Sequence, residues 1–123
     1  MKRYSGREVD KIKRELLEAL KKENAFWSYV PSALSLESIS DETLIAYTMR
    51  FLDLQEIAIL YKIFPSGKIK SAWKEILVPE GEYLYTLNRF FAWYYFGAKN
   101  PDSYLKSLQT RHLNKLLSYE RSK

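Results

Sequence analysis

The chain has 123 residues, 46% hydrophobic and 28% charged, with no cysteine and a formal charge of +5. That length holds one ordinary hydrophobic core without staples, and the lack of cysteine excludes a disulfide framework and thiolate chemistry. No run approaches the roughly 18 apolar residues of a membrane span, and the opening MKRYSGREVDKIKRELL lacks the apolar centre of a secretory signal. The expectation is a cytoplasmic protein with no membrane contact.

The charge is unevenly spread. Residues 1–23 hold eight Lys and Arg against five Asp and Glu, and residues 67–99 hold five against three. Residues 100–123 hold five against two, while residues 24–66 reverse the balance at two against five. Basic ends suit an acidic protein or a nucleic acid, although +5 is also an ordinary solubility charge for a small domain.

In chain order, Ser5 and Glu8 read as a capping box, with Tyr4 packing on Val9. Val9, Ile12, Leu16 and Leu20 then recur at helical spacing, which predicts an amphipathic helix over residues 1–23. Its narrow apolar seam suits a second copy of the chain or another protein, so Val9, Ile12 and Leu16 are candidate partner-binding residues. From 24 to 39 the periodicity fails, and Pro31 holds its predecessor extended. An ordered, non-helical strap is expected there. Its aromatics, Trp27 and Tyr29 among them, either plug into the domain or stand out as a second partner-binding motif.

The helical core is expected over residues 40–118. Ser40 or Asp41 opens a helix with Leu44, Ile45, Thr48, Phe51 and Leu52 inward. Asp53 and Glu56 form a second capping box, and the helix it opens stops at Pro65. After the turn Pro65-Ser66-Gly67, another helix runs from Lys68 to about Val78 with Ile69, Trp73, Ile76 and Leu77 inward. The stretch from Glu80 to Gly97 follows, with eight aromatics in the fourteen positions from Tyr83 to Phe96. Leu84, Leu87, Phe91 and Tyr95 make one stripe, and Tyr85, Ala92, Trp93 and Phe96 cover another side. A helix apolar on more than one side is normally covered by its neighbours, so residues about 80–96 are expected to be the centre of the fold. Gly97 is placed to end it. Asn100 caps the last helix, with Pro101 at its first position and Tyr104, Leu105, Leu108, His112, Leu113 and Leu116 inward. The fold class is all-α, a single domain of about six helices over residues 1–123.

The chemistry-bearing residues are few. The only histidine is His112, and no glycine-marked nucleophile elbow or phosphate loop accompanies it. With one histidine, no cysteine and scattered carboxylates, no metal site and no cofactor is expected. An enzyme is not expected either. Asn88 and Arg89 interrupt the most apolar helix and need partners if buried. Asn88 is expected to tie two helices together and Arg89 to meet a carboxylate such as Glu56 or Asp53. The sharper reading joins Asn88, Arg89, Arg111 and His112 in a polar cluster that faces a ligand or a partner. Residues 53–78 also have the proportions of a helix–turn–helix, with Lys68, Lys70 and Lys74 as candidate nucleic-acid contacts. Ile63 stands where the tight crossing wants a small residue, and the second helix lacks the Arg, Asn and Gln of bidentate base reading.

Two stretches, LDLQEIAILYKIFPSGKIKSAWKEIL and YLYTLNRFFAWYYFGAKNPDSYLK, resemble a family of small bacterial helical proteins. The matching residues are Asp53, Glu56, Leu60, Phe64, Lys68, Ile69, Lys70, Trp73, Leu87, Phe96 and Pro101, and the resemblance covers about residues 26–117. Relatives of this type are similar to the antitoxin-side partners of nucleotidyltransferase toxins carried in the same operon. The resemblance implies a non-enzymatic, antitoxin-like accessory protein with a protein partner. The alternative is a DNA-binding regulator using 53–78.

Overall fold

Ser40 leaves an extended backbone and accepts the Thr43 N–H on its Oγ at 3.1 Å, and α2 (Asp41–Phe51) follows. This is the start expected from a short polar side chain that satisfies one of the orphan donors of a first turn. The structure, a computed structural model, describes residues 6–23 and 39–121, apart from the side chains of 119–121. Every regular element among them is helical, and no strand occurs among the described residues. The expected Ser5 capping box and Tyr4 staple, and the strap with Trp27 and Tyr29, lie outside the described residues. Contacts divide the chain into two compact units, Met1–Ala72 and Trp73–Lys123.

In the first unit, α1 (Gly6–Lys22), α3 (Leu54–Ile63) and α4 (Ser66–Ala72) each pack against α2. Its buried residues are Leu16, Leu17 and Leu20 of α1, Leu44, Ile45, Ala46, Thr48 and Met49 of α2, and Ile57, Leu60, Phe64, Ile69 and Ala72 beyond. Thr48 satisfies its hydroxyl within its own helix, donating to the Leu44 carbonyl at 2.7 Å. Asp53 stands at the expected N-cap of α3, yet its side chain makes no capping bond. The capping box therefore does not form, and Oε2 of Glu56 is buried with no hydrogen-bond partner among the described residues. The helix α4 starts earlier than the sequence suggests. Pro65 caps it through its carbonyl, which accepts from Lys68 and Ile69, so Ser66 and Gly67 belong to the first turn.

The second unit opens with a π turn (Trp73–Leu77) and a 3₁₀ stretch (Val78–Leu84) before α5 (Tyr85–Tyr94) and α6 (Pro101–Arg121). The aromatic helix thus begins at Tyr85 and not near Glu80. Gly81 is the reason: its φ of 61° and ψ of −129° belong to a region that side chains exclude, and no helix passes through it. At the other end the expectation holds. Gly97 takes a φ of 67°, and the reversed chain lets the Ala98 N–H reach the Ala92 carbonyl at 2.9 Å. Asn100 caps α6 through its Oδ1, which accepts the Ser103 N–H at 3.2 Å.

Candidate interaction surface

Two buried side chains fix α5. The Trp73 indole N–H donates to Asn88 Oδ1 at 3.0 Å, and Asn88 Nδ2 donates to the Leu77 carbonyl at 2.9 Å. Asn88 is 1% exposed, so both bonds are made away from water, where an unmade one is expensive. The Trp73 ring lies against Phe96, with centroids 4.6 Å apart, and stacks on Tyr104 at 6.3 Å. The expectation that Asn88 joins two helical segments is met, and the segment it joins to α5 is the π turn.

With Asn88, Phe91 and Ala92 buried, helical spacing sends Thr86, Arg89, Phe90 and Trp93 outward. The outer stripe of α5 is where a surface helix normally carries charges. Here it carries rings: Phe90 is 36% exposed, Trp93 59% and Tyr94 55%, and Tyr83 in the preceding 3₁₀ stretch is 76% exposed. The aromatic helix is therefore covered on one side only, a correction to its expected burial all round. Phe90 stacks on Tyr94 at 5.2 Å and lies 6.3 Å from Trp93. The ring is a ridge between two shallow grooves. One, of about 420 Å³, is lined by Thr86, Arg89, Trp93 and Pro101. The other, of about 430 Å³, is lined by Glu82, Tyr83, Leu84 and Leu87.

Arg89 stands at the edge of this face, its Nε 3.3 Å from Asp102. The carboxylate it meets is Asp102, and not the expected Glu56 or Asp53. The Tyr85 hydroxyl donates to the same carboxylate, and that bond to Asp102, with some desolvation, holds the phenol above its ordinary value.

The expected polar cluster divides. Asn88 is an internal strut and Arg89 belongs to the aromatic face, while Arg111 and His112 are grouped with Lys74. These three, with Lys115, Glu75 and Leu108, line a groove of about 180 Å³ between the π turn and α6. Lys68 is engaged elsewhere. Asp41 accepts from Lys13 on Oδ1 at 3.1 Å and from Lys68 on Oδ2 at 3.0 Å, joining α1, α2 and α4 through one carboxylate. Both ammoniums also lie over the Phe64 ring, at 5.3 and 5.6 Å from its centroid. Partial burial pushes the Asp41 carboxyl up, but its hydrogen bonds from Lys68 and Lys13 outweigh that and hold it below the ordinary carboxylate value. The bond to Asp41 likewise raises Lys68. Lys70 is half-buried.

Of the N-terminal candidates among the described residues, one is used in the core. Leu16 is buried at 3% exposure, with Leu17 and Leu20, in the packing of α1 on α2. Val9 and Ile12 are half-buried. Of the seam offered for a partner, Leu16 is taken up by the chain itself, while Val9 and Ile12 stay partly exposed. Among the described residues Tyr83, Phe90, Trp93 and Tyr94, none of them a site candidate from the sequence, are exposed. No family model, curated protein or solved structure matches this chain.

Proposed function

We propose that the chain is a non-enzymatic protein-interaction protein that holds its partner on the outer face of α5. One observation carries this reading: a contiguous ridge of Phe90, Trp93 and Tyr94, with Tyr83 beside it, stands in solvent between two grooves. At the 150–250 Å² that a buried aromatic contributes, these four rings leave on the order of 400 Å² of apolar surface, the size at which a patch is commonly functional. Trp and Tyr are also the residues that dominate binding energy at protein interfaces, and Arg89 at the rim completes that composition.

A nucleotidyltransferase toxin encoded in the same operon is the partner implied by the resemblance to antitoxin-side proteins, and the cytoplasm is where the two would meet. The test is co-expression with the product of the adjoining gene, followed by calorimetry on the purified pair. Trp93→Ala and Phe90→Ala should each weaken the complex by at least about 2 kcal/mol, some thirty-fold, as central interface residues do. Lys11→Ala on the exposed side of α1 should change little. Full affinity in the Phe90→Ala/Trp93→Ala double variant removes the reading. The alternative of a DNA-binding regulator reading through residues 53–78 is weaker, because the Lys68 ammonium of its second helix is held by Asp41.

A further inference from the structure

The groove lined by Lys74, Glu75, Leu108, Arg111, His112 and Lys115 lies apart from the aromatic ridge and has a different chemistry. Lys74 and Glu75 come from the π turn, and the other four come from α6. Three basic side chains, Lys74, Arg111 and Lys115, line the groove together with a single carboxylate, Glu75. Among the described residues Lys74, Arg111 and Lys115 make no ion pair, whereas Lys13, Lys68 and Arg89 do. Arg111 and Lys115 are one turn apart on the same side of α6, a like-charge arrangement that is mildly destabilising unless an anion answers it. The turn that supplies Lys74 is itself unusual, since π turns are rare and are found frequently at functional sites.

We propose that this groove binds the phosphates of a nucleic-acid strand. At about 180 Å³ the groove is smaller than the pockets that enclose small molecules, which suits contact along a passing strand better than enclosure of a whole ligand. Arg111 and Lys115 stand about 6 Å apart along the helix axis, at 1.5 Å per residue, and that is comparable to the step between successive phosphates on one strand. Arg supplies a planar fork and Lys a point charge, the two side chains that phosphate contacts favour. A lipid surface fits less well. Among the described side chains of α6 the exposed large apolar ones are Leu113, Leu116 and Leu117. At 100° per residue Leu113 and Leu117 lie on the side of the helix away from Arg111 and Lys115, so one flat surface does not meet both sets. The contact carries no base reading, and selection among sequences is not part of the proposal.

The test uses the full chain and a fluorescein-labelled mixed-sequence oligonucleotide of about twenty nucleotides, single- and double-stranded, read by anisotropy across a salt series. Three phosphates neutralised predict a slope near −2.7 for log K against log salt on the duplex, at about −0.9 each. Arg111→Gln and Lys115→Gln should each bring that slope toward zero by about 0.9 and weaken binding at low salt. Lys62→Gln, an exposed cation of α3, removes the same charge elsewhere and should leave the slope unchanged. Equal effects of Lys62→Gln and Arg111→Gln would mean only attraction to net charge, and would overturn the proposal. So would no binding in low salt, or binding to phosphatidylserine vesicles in preference to the oligonucleotide. The Phe90→Ala/Trp93→Ala variant should bind the oligonucleotide normally, which keeps this result separate from that of the protein-partner test.

Discussion

Trp73 and Asn88 meet at 3.0 Å in the interior of the second unit, the indole N–H donating to the amide oxygen while the amide nitrogen donates to the Leu77 carbonyl. One side chain satisfies a donor and an acceptor that water does not reach.

Asn88→Ala removes both bonds and leaves the Trp73 N–H and the Leu77 carbonyl buried and unpaired. At 1–3 kcal/mol for each stranded group, the loss should be about 3 kcal/mol or more. Asn88→Asp keeps the size and the acceptor but places a buried charge, and should be no better. A double-mutant cycle with Trp73→Phe, followed by urea unfolding, separates the indole–amide coupling from the general loss of packing. Additive single effects would show that the pair contributes nothing beyond volume.

Asp41 links pH to the stability of the first unit. Its folded pKa lies below the unfolded value, so its contribution is present above the ordinary carboxylate range and is lost as pH falls through the folded value. Lys68 is raised, so its share is present below the ordinary lysine value and is lost only in strong alkali, as pH rises through the raised one. Because the carboxylate is about one-third exposed, Asp41→Asn should cost no more than about 1 kcal/mol at neutral pH. Melts of both proteins between pH 2 and pH 7 should converge at the acid end. A gap that persists at pH 2 would trace the loss to something other than the charge.

Gly97 separates conformational strain from crowding. A Cβ at this position meets nothing within 4 Å, but φ is +67°. Gly97→Ala should therefore destabilise by about 1 kcal/mol through backbone strain alone. Gly97→Asn should recover much of that, since Asn tolerates the left-handed region. Thermal melts of the two variants decide it, and equal losses would contradict the strain account.

The role of α1 is open to a direct check. Leu20 is fully buried, so Leu20→Ala should cost about 2–5 kcal/mol, while Val9→Ala near the end of the helix should cost under about 1 kcal/mol. Removing residues 1–30 should uncover the α2 surface on which α1 packs and unfold the first unit, as read by loss of helical circular dichroism. A folded remainder would show that the first unit does not need α1.

The helices themselves were legible because local signals place them. Ser40, Asn100 and Gly97 do what short polar caps and a left-handed glycine do, and the Leu and Ile spacing of α1 and α2 points inward. The start of α5 was misplaced because Pro79 and the Glu80/Glu82 pair are good first-turn residues, whereas the backbone Gly81 adopts is invisible in sequence. The face of α5 was misread for a different reason. A ten-residue helix has one buried stripe, and so many rings cannot all share it; the surplus was the signal that some must stand in solvent. Burial of Leu16 and the capture of Lys68 by Asp41 depend on tertiary packing, which spacing along one helix does not reveal. The grouping of Lys74 with Arg111 and His112 around one groove spans more than thirty residues and leaves no local trace.

Because α5 carries rings on its outer as well as its inner side, apolar burial alone discriminates weakly among rotations about its axis. The amide at position 88 breaks this degeneracy, because only one rotation brings its oxygen to the indole and its nitrogen to the Leu77 carbonyl. Turning the helix by one residue would offer Leu87 or Arg89 to Trp73 and answer neither group. The orientation of the outward rings is thus decided by a polar choice made in the interior. A substitution that relaxes that choice would blur the outer face even in a protein that still folds.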